Sequence, residues 1–332
     1  MIAFLLSCTR SEPPAEPVIL DRGDNGVWLR RIWLHDDPLL AGREDALFAG
    51  LIEDTRRLGI TRLYPFLGPM DADGHPGWRS DEGIRGYEPD RVKRFFDAMH
   101  AARPELKIHP WTGGILDRDV RFSDEERLAR FVTHTAQIVA LGADGIQLNV
   151  EPLPDGTTEY LDLLRAVKAA IGPDKTLSVA AYPPTTLLHP FSEVHWSLDY
   201  SRQVCEIADE VAVMAYDTGL GQRVLFRGLV EKWAADLAET LPPPSAGGCE
   251  LLIGLPAYED DEPWHRPDVE TIDVALSGVI RAFPKVLPEH VRGVAVYASW
   301  TTDASEWRDY NRLWRGQDAP LAPMTDFGLT VP

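Results

Sequence analysis

The sequence predicts a single (β/α)8 barrel that forms one domain, and three observations lead to this fold class. Patterns typical of strands and helices alternate eight times between residues 27 and 314. The spacing of roughly 30 to 45 residues per unit is typical of such barrels, as is the total length of 332 residues. Several predicted strands are almost continuous apolar runs, as expected of a parallel sheet covered on both faces. An open doubly wound sheet is the alternative, but no glycine-rich phosphate loop follows the first strand.

Each predicted strand is a short run rich in apolar and β-branched residues, bounded by polar or turn-forming residues. In chain order, strands are expected at residues 27–34, 61–66, 107–112, 145–151, 176–182, 210–216, 251–255 and 293–299. The segments between them carry the amphipathic period of helices, of which the fifth is weak. Helices are expected at residues 41–58, 90–102, 124–141, 158–171, 198–208, 228–241, 269–283 and 304–314, with Ser123 as the cap of the third.

Composition restricts the partners. The chain has 52 acidic and 33 basic residues, which gives a formal net charge of −19. This charge argues against nucleic acid and against an anionic membrane surface as partners, whereas a neutral sugar polymer is indifferent to it. No Cys/His spacing typical of a zinc site is present, so neither a metal nor a cofactor is expected. A monomer is expected.

The N-terminus predicts a lipid anchor. Leu5-Leu6-Ser7-Cys8 resembles a bacterial lipobox, in which Cys8 would be lipidated after cleavage. Residues 1–8 would then be a signal segment, residues 9–22 a polar, proline-rich tether, and residues 23–332 the (β/α)8 barrel domain. The predicted location is the bacterial cell envelope, with contact to a membrane only through the lipid. An apolar N-terminus on a cytosolic protein is the alternative, because no basic segment precedes the apolar run.

Two further cysteines, Cys205 and Cys249, each precede a predicted strand, and those two strands are consecutive. Both are therefore expected near the N-terminal rim of the barrel. Two separate buried thiols are the preferred interpretation, since free cysteine is among the most buried residue types. A disulfide is the alternative if the protein is exported.

The fourth strand carries the most informative pattern. Apolar and polar residues alternate through it, so its polar side chains share one face. Three polar side chains in a row cannot lie in an apolar core without hydrogen-bond partners. On the inside of a barrel near its open end, a bound ligand can be such a partner. Pro152 ends the strand directly after Glu151. The polar face consists of Gln147, Asn149 and Glu151, and the apolar face of Ile146, Leu148 and Val150.

This strand resembles the signature of family 18 glycoside hydrolases, the chitinases and endo-β-N-acetylglucosaminidases. Their fourth barrel strand reads Asp-x-x-Asp-x-Asp-x-Glu, and here the same frame reads Asp144-x-x-Gln147-x-Asn149-x-Glu151. The first Asp and the final Glu match, whereas amides stand at the two middle positions. Asp144 is expected to support the strand through backbone hydrogen bonds.

Four other segments are similar to the family in the same order along the barrel. The family has Ser-x-Gly-Gly on strand three, and here Trp111-Thr112-Gly113-Gly114 matches the glycines while Trp111 replaces the Ser. The family's Met-x-Tyr-Asp on strand six and its floor Trp on strand eight have their counterparts in Met214-Ala215-Tyr216-Asp217 and Trp300. Strand seven reads Gly254-Leu255-Pro256-Ala257-Tyr258, a frequent form in the family.

The resemblance implies cleavage of β-linked N-acetylglucosaminides with retention, in which the 2-acetamido oxygen of the substrate is the nucleophile. Glu151 matches the general acid. Asn149 matches the residue that orients the acetamide, and family 85 glycosidases work with such an Asn-x-Glu pair. Tyr216 resembles the tyrosine that donates to the acetamide carbonyl, and Asp217 the carboxylate beside it. Substrate contacts are expected from Gln147, Trp300, Met214, Tyr182, Trp111 and Tyr258.

Structural interpretations stand beside these functional ones. Glu151 as a strand-end carboxylate, Met214 as core packing and Asp217 as a helix cap are the alternatives. Two other functions also remain open. One is a glycan-binding barrel without turnover, which the two amide replacements suggest. The other is a two-carboxylate retaining glycosidase with Glu151 as acid and Glu259 as nucleophile.

Overall fold

The computed structural model describes residues 19–37, 42–80, 83–260 and 262–327. Cys8, the predicted signal segment and most of the predicted tether lie outside these residues. The last four residues of that tether are described and belong to the folded domain. Leu20 is buried in the core, and the Asp21 carboxylate accepts a hydrogen bond from Asn25 at 2.8 Å.

Eight parallel strands close into a barrel, as predicted. Each strand pairs with the next along the chain, and the eighth pairs with the first through Gly26 and Ala295. The third strand has two segments, separated at His109-Pro110, where Pro110 has no N–H for the ladder. We number the strands β1 Asn25–Leu29, β2 Ile60–Pro69, β3 Lys107–Ile108 and Trp111–Ile115, β4 Gly145–Glu151, β5 Thr176–Ala181, β6 Glu210–Val213, β7 Glu250–Pro256 and β8 Val291–Tyr297.

Helices connect the strands and cover the outside of the barrel. They are α1 Glu44–Leu58, α2 Pro89–Ala102, α3 Glu125–Ala140, α4 Thr158–Ile171, α5 Leu198–Cys205, α6 Arg223–Thr240, α7 Ile272–Ala282 and α8 Ala304–Leu313. The helices bury apolar faces against the sheet, which places a continuous core between the two layers. Within the described part of the chain, none of them has the length and apolarity that crossing a membrane requires.

Most predicted elements are found within a few residues of their expected bounds. α6 differs more, since it begins at Arg223 rather than at residue 228, and three other details also differ. β1 ends at Leu29, and a 3-10 helix, Arg31–Trp33, follows within the predicted strand. The cap of α3 is Asp124 rather than Ser123, because the Asp124 carboxylate accepts the N–H of Arg127. The loop after β2 contains an unpredicted hairpin of Gly77–Ser80 and Gly83–Gly86.

A cluster of charges fills the interior of the barrel below the strand ends. Arg62 on β2 is almost fully buried and bonds Asp24 at 2.7 Å and Glu210 on β6. Burial alone would raise the pKa of Glu210, but the positive charge of Arg62, together with His109 and the hydrogen bond from Ser178, outweighs burial and leaves this pKa below its usual value. The cluster is therefore a charged layer whose members need one another, since a buried charge without its partner is costly.

Cys205 and Cys249 form a disulfide, so the preferred prediction of two free thiols is wrong. Their Cα atoms lie 5.1 Å apart across a sequence separation of 44 residues. The cause is the register of the sheet, in which Glu210 of β6 lies opposite Glu250 of β7. The ends of the segments that lead into these neighbouring strands consequently meet at the N-terminal rim.

We expect loss of this disulfide to lower the free energy of unfolding by about 2–4 kcal/mol, because closing a long loop restricts the unfolded chain. Urea unfolding followed by tryptophan fluorescence, comparing the oxidised protein with Cys205→Ala/Cys249→Ala, measures the difference. A reducing agent should shift the midpoint of the wild type and leave the double variant unchanged. Coincident midpoints for the oxidised protein and the double variant would contradict the expectation.

Candidate active site

Four adjoining pockets at the C-terminal ends of the strands form one cleft. The central pocket, of about 120 Å³, contains Asn149, Glu151, Tyr216, Asp217 and Tyr297 among its lining. The β5 arm, of about 660 Å³, includes Tyr182, Pro183, His195 and Trp264. The β3 arm, of about 320 Å³, includes Gly113, Gly114 and Arg118. The outer pocket, of about 310 Å³, is lined by Arg30, Arg31, Phe66, Trp111, Tyr297 and Trp300.

Glu151 lies where three of these pockets meet, since it lines the central pocket and both arms. It is the last residue of β4, as the sequence predicts. Burial in the cleft, reinforced by the negative charge of Asp217, raises the pKa of Glu151 to about 7, against a hydrogen bond from Asn149 that lowers it. A carboxyl group with this pKa holds a proton near neutral pH, which a general acid requires.

Asn149 lies two residues before Glu151 on the same strand face, as the sequence predicts. Its side chain bonds Glu151. Its carbonyl oxygen Oδ1 is buried and has no hydrogen-bond partner among the described residues. A buried acceptor without a partner costs free energy, so this atom is ready to accept an N–H from a ligand.

The paired glycines of β3 allow Asn149 to occupy this position. Gly113 and Gly114 have φ of 145° and 118°, outside the range that other residues readily adopt. A Cβ atom on Gly113 would lie 2.0 Å from the backbone oxygen of Asn149. The Gly-Gly motif is therefore needed for the close approach of β3 to the strand that carries the acid.

Tyr216 and Asp217 follow β6 and face Glu151 across the central pocket. The Tyr216 ring stacks on Tyr297, with centroids 5.4 Å apart. Burial raises the pKa of Tyr216 well above its usual value, so its hydroxyl remains a donor. Asp217 has a left-handed φ of 60°, which aspartate tolerates better than most residues, and its side chain is exposed to the cleft.

A buried layer that the sequence did not reveal fixes the backbone at Asp217. The carboxylate of Glu270 accepts the N–H groups of Asp217 and Thr218, each at 2.9 Å. Tyr258 donates its hydroxyl to the same carboxylate. Tyr258 was predicted to bind substrate, but it is buried and is absent from the lining of the described pockets, so its contacts here are structural.

His265 is a second residue of the site that sequence reasoning missed. Its Nε2 lies 3.1 Å from Asp217 Oδ1 and its Nδ1 lies 3.2 Å from Asp260 Oδ2. The hydrogen bond to Asp217 and the surrounding negative charges raise the pKa of His265 above its usual value. The ring also stacks on Tyr258 at 4.1 Å, which fixes its orientation. No periodic pattern in the sequence marks this loop.

Gln147 lies one layer below the cleft rather than in it. It is fully buried. Its Oε1 accepts the indole N–H of Trp28 at 2.7 Å, and its Nε2 donates to Ser178 at 3.0 Å. Ser178 continues the chain by donating to Glu210 at 2.6 Å. Both ends of the amide are thus engaged within the barrel, and Gln147, from which the sequence predicts a substrate contact, does not line the described pockets.

The aromatic residue of β8 in the central pocket is Tyr297, not Trp300. Trp300 instead lines the outer pocket and meets Tyr297 edge to face at 5.8 Å. Inward positions of β8 carry Gly293 and Ala295 before Tyr297. This change from small to large side chains is the sequence pattern from which Tyr297 could have been predicted as the pocket residue. Trp111, Met214 and Tyr182, from which the sequence also predicts substrate contacts, line the cleft as well.

Two other predicted carboxylates lie outside the cleft. Asp144 accepts the N–H of Ile108 at 2.8 Å, which confirms its predicted support of the strand. Glu259 is exposed and is absent from the lining of the described pockets, which argues against the two-carboxylate alternative. Among the described residues, no group of three or more His, Cys, Asp or Glu side chains is arranged to hold a metal ion.

No protein-family model and no curated protein matches this sequence. Solved structures do share its fold. The spore cortex-lytic enzyme SleL of Bacillus cereus is 13% identical with a TM-score of 0.56, over 91% of this chain and 76% of that one. A chitinase from Chromobacterium violaceum is 12% identical with a TM-score of 0.55, over 86% and 98%. A putative chitinase A from Streptomyces coelicolor is 17% identical with a TM-score of 0.54, over 89% and 96%. At these identities the similarity shows the fold alone.

Proposed function

We propose that this protein is a retaining glycoside hydrolase that acts on glycans containing β-linked N-acetylglucosamine. The observation that carries the proposal is the pairing of Glu151 and Asn149 in one pocket. Glu151 has a pKa of about 7, and Asn149 offers a buried acceptor without a partner among the described residues. The first group suits proton transfer to a leaving oxygen, and the second suits recognition of an N-acetyl group. Chitinases among the structures of the same fold support the proposal.

The acetamide of the substrate would be the nucleophile. Asn149 Oδ1 accepts the acetamide N–H, and the Tyr216 hydroxyl donates to the acetamide oxygen. Held in this way, the oxygen attacks the anomeric carbon while Glu151 gives its proton to the leaving oxygen, and an oxazolinium ion forms. Glu151 then removes a proton from the water that opens this ring. Two inversions at one carbon give net retention, and positioning supplies much of the rate.

Asp217 would supply the negative charge that neutral Asn149 lacks. Together with Glu151 it is one of two carboxylates in the lining of the central pocket. Its backbone is held by Glu270, and its side chain by His265. A fixed anion beside a developing cation stabilises the transition state and needs no reorganisation during the reaction. The same charge helps to keep Glu151 protonated.

Location in the cell envelope is also part of this proposal. The lipobox-like segment at Cys8 motivates it, and the disulfide between Cys205 and Cys249 supports it, because such bonds persist mainly in oxidising compartments.

We expect the protein to cleave chito-oligosaccharides and to release the β-anomer first, which NMR of the fresh products detects. A thiazoline analogue of the cyclised acetamide should inhibit competitively. The matched control is the same oligosaccharide with free amines in place of the acetamides, which should not be cleaved. Equal turnover of the two substrates, or initial release of the α-anomer, would overturn the proposed mechanism.

A further inference from the structure

The outer pocket differs in chemistry from the rest of the cleft. Its lining consists of two arginines and four aromatic side chains, without an acidic residue. Such a pocket is notable in a chain with a net charge of −19. It shares Trp111 and Tyr297 with the central pocket. A ligand in one pocket would therefore adjoin a ligand in the other.

The polar side-chain groups of this lining are almost all hydrogen-bond donors. Guanidinium and indole groups donate and cannot accept, and Tyr297 has the one hydroxyl that does both. The indole N–H of Trp111 is buried and has no partner among the described residues. A ligand that bonds to the Trp111 indole or to the guanidinium groups must consequently present acceptors.

The two arginines also place like charges side by side. Arg30 donates to the backbone oxygen of Asp326 at 3.4 Å, and Arg31 bonds Asp37 at 3.3 Å. These contacts hold the side chains at the pocket wall. Burial, with a smaller effect from the charge of Arg31, lowers the pKa of Arg30 against the opposing charge of Asp326. The charge of Asp37 also opposes this lowering. A carboxylate matches the fork of a guanidinium, so an anion in the pocket would meet two positive groups that are held at its wall.

We infer that the outer pocket is a subsite for a sugar that carries a carboxylate, next to the N-acetylglucosamine unit in the central pocket. The aromatic side chains offer faces to the C–H groups of the ring, and the arginines bind its charge. The volume of about 310 Å³ is sufficient for one small ligand. This inference rests on the proposed function. Two sugar types have the required chemistry, a uronic acid and a hexosamine with a lactyl ether.

The test measures binding by calorimetry to the full chain carrying Glu151→Gln, so that turnover does not interfere. One ligand is a tetrasaccharide of alternating N-acetylglucosamine and N-acetylmuramic acid, and the second is the same molecule with its carboxyls converted to amides. A third alternates N-acetylglucosamine with glucuronic acid, and chitotetraose is the fourth. We expect at least one carboxylated ligand to bind about 10-fold more tightly than both uncharged ligands, the amide form and chitotetraose, and added salt to reduce that preference.

Variants at Arg30 test whether the preference for a carboxylated ligand depends on the outer pocket. Arg30→Gln should weaken binding of the preferred carboxylated ligand about 10-fold and change the affinity for the amide form less than about twofold. Arg30→Lys should retain part of the preference for the carboxylated ligand. Arg165→Gln on α4 is the matched control, because it removes the same charge from an exposed position. Equal losses in Arg30→Gln and Arg165→Gln would overturn the inference, since net charge alone would then explain them.

Two other outcomes separate this inference from the proposed function. Tight binding of chitotetraose with no preference for either carboxylated ligand would overturn the subsite and leave the hydrolase proposal intact. If none of the four oligosaccharides binds, both the proposed function and the subsite fail.

Discussion

Glu151→Gln is expected to lower kcat on chito-oligosaccharides by about 10²–10⁴-fold, with little change in KM, because the proton for the leaving oxygen is lost while the shape of the side chain is kept. The value of kcat/KM reports only the steps up to departure of the leaving group, so it is not affected by the later role of Glu151 as a base. In kcat/KM a substrate with a nitrophenolate leaving group should lose much less than a chito-oligosaccharide, since that group departs without a proton. Equal losses of kcat/KM on both substrates would show that Glu151 is not the acid.

The pH dependence of kcat/KM independently tests the assignment of Glu151 as the acid. Glu151 must be protonated to act as the acid, so the wild-type rate should fall as pH rises through about 7. Asp217 helps to raise that pKa, and Asp217→Asn should therefore move the fall in kcat/KM to lower pH. A profile that falls at the same pH in both proteins would contradict this coupling. Circular dichroism at each pH separates titration from unfolding.

Asn149→Ala is expected to lower kcat/KM on N-acetylated substrates by about 10²–10³-fold, the typical loss when one positioned hydrogen-bonding group is removed. The cause is loss of the Oδ1 acceptor for the acetamide N–H. The variant also loses the hydrogen bond between Asn149 and Glu151, so circular dichroism checks that the fold is kept.

Asn149→Asp tests the effect of replacing the amide by a carboxylate at the same position. It retains an acceptor and adds a negative charge beside Glu151, which should raise the pKa of Glu151 and move the fall in activity to higher pH. Activity near the wild-type level with this shift would show that the amide is a tolerated replacement. If Asn149→Ala is as active as wild type, orientation of the acetamide by Asn149 is excluded.

The amide at Gln147 has a structural explanation that the sequence did not give. An aspartate there would be too short to bridge Trp28 and Ser178, which the glutamine side chain joins at 2.7 and 3.0 Å. A negative charge would also approach Glu210, which bonds Ser178. The Gln147 replacement is thus tied to the charged layer in the barrel interior, and not to the substrate.

Features of this protein that depend on local patterns could be predicted from the sequence. The bounds of β4 and α4 were predicted without error, because alternation along a strand and the period of a helix are set by near neighbours. The barrel followed from eight such units. The place of Glu151 at a strand tip followed from the proline after it.

Contacts between residues that are distant in the chain could not be predicted and are known from the fold. Closure of the barrel brings Cys205 to Cys249, aligns Trp28 with Gln147 and places His265 against Asp217. It also places Tyr297 rather than Trp300 in the central pocket. These contacts depend on the register of neighbouring strands and on loops without periodicity, and neither is encoded in the spacing of residues along the chain.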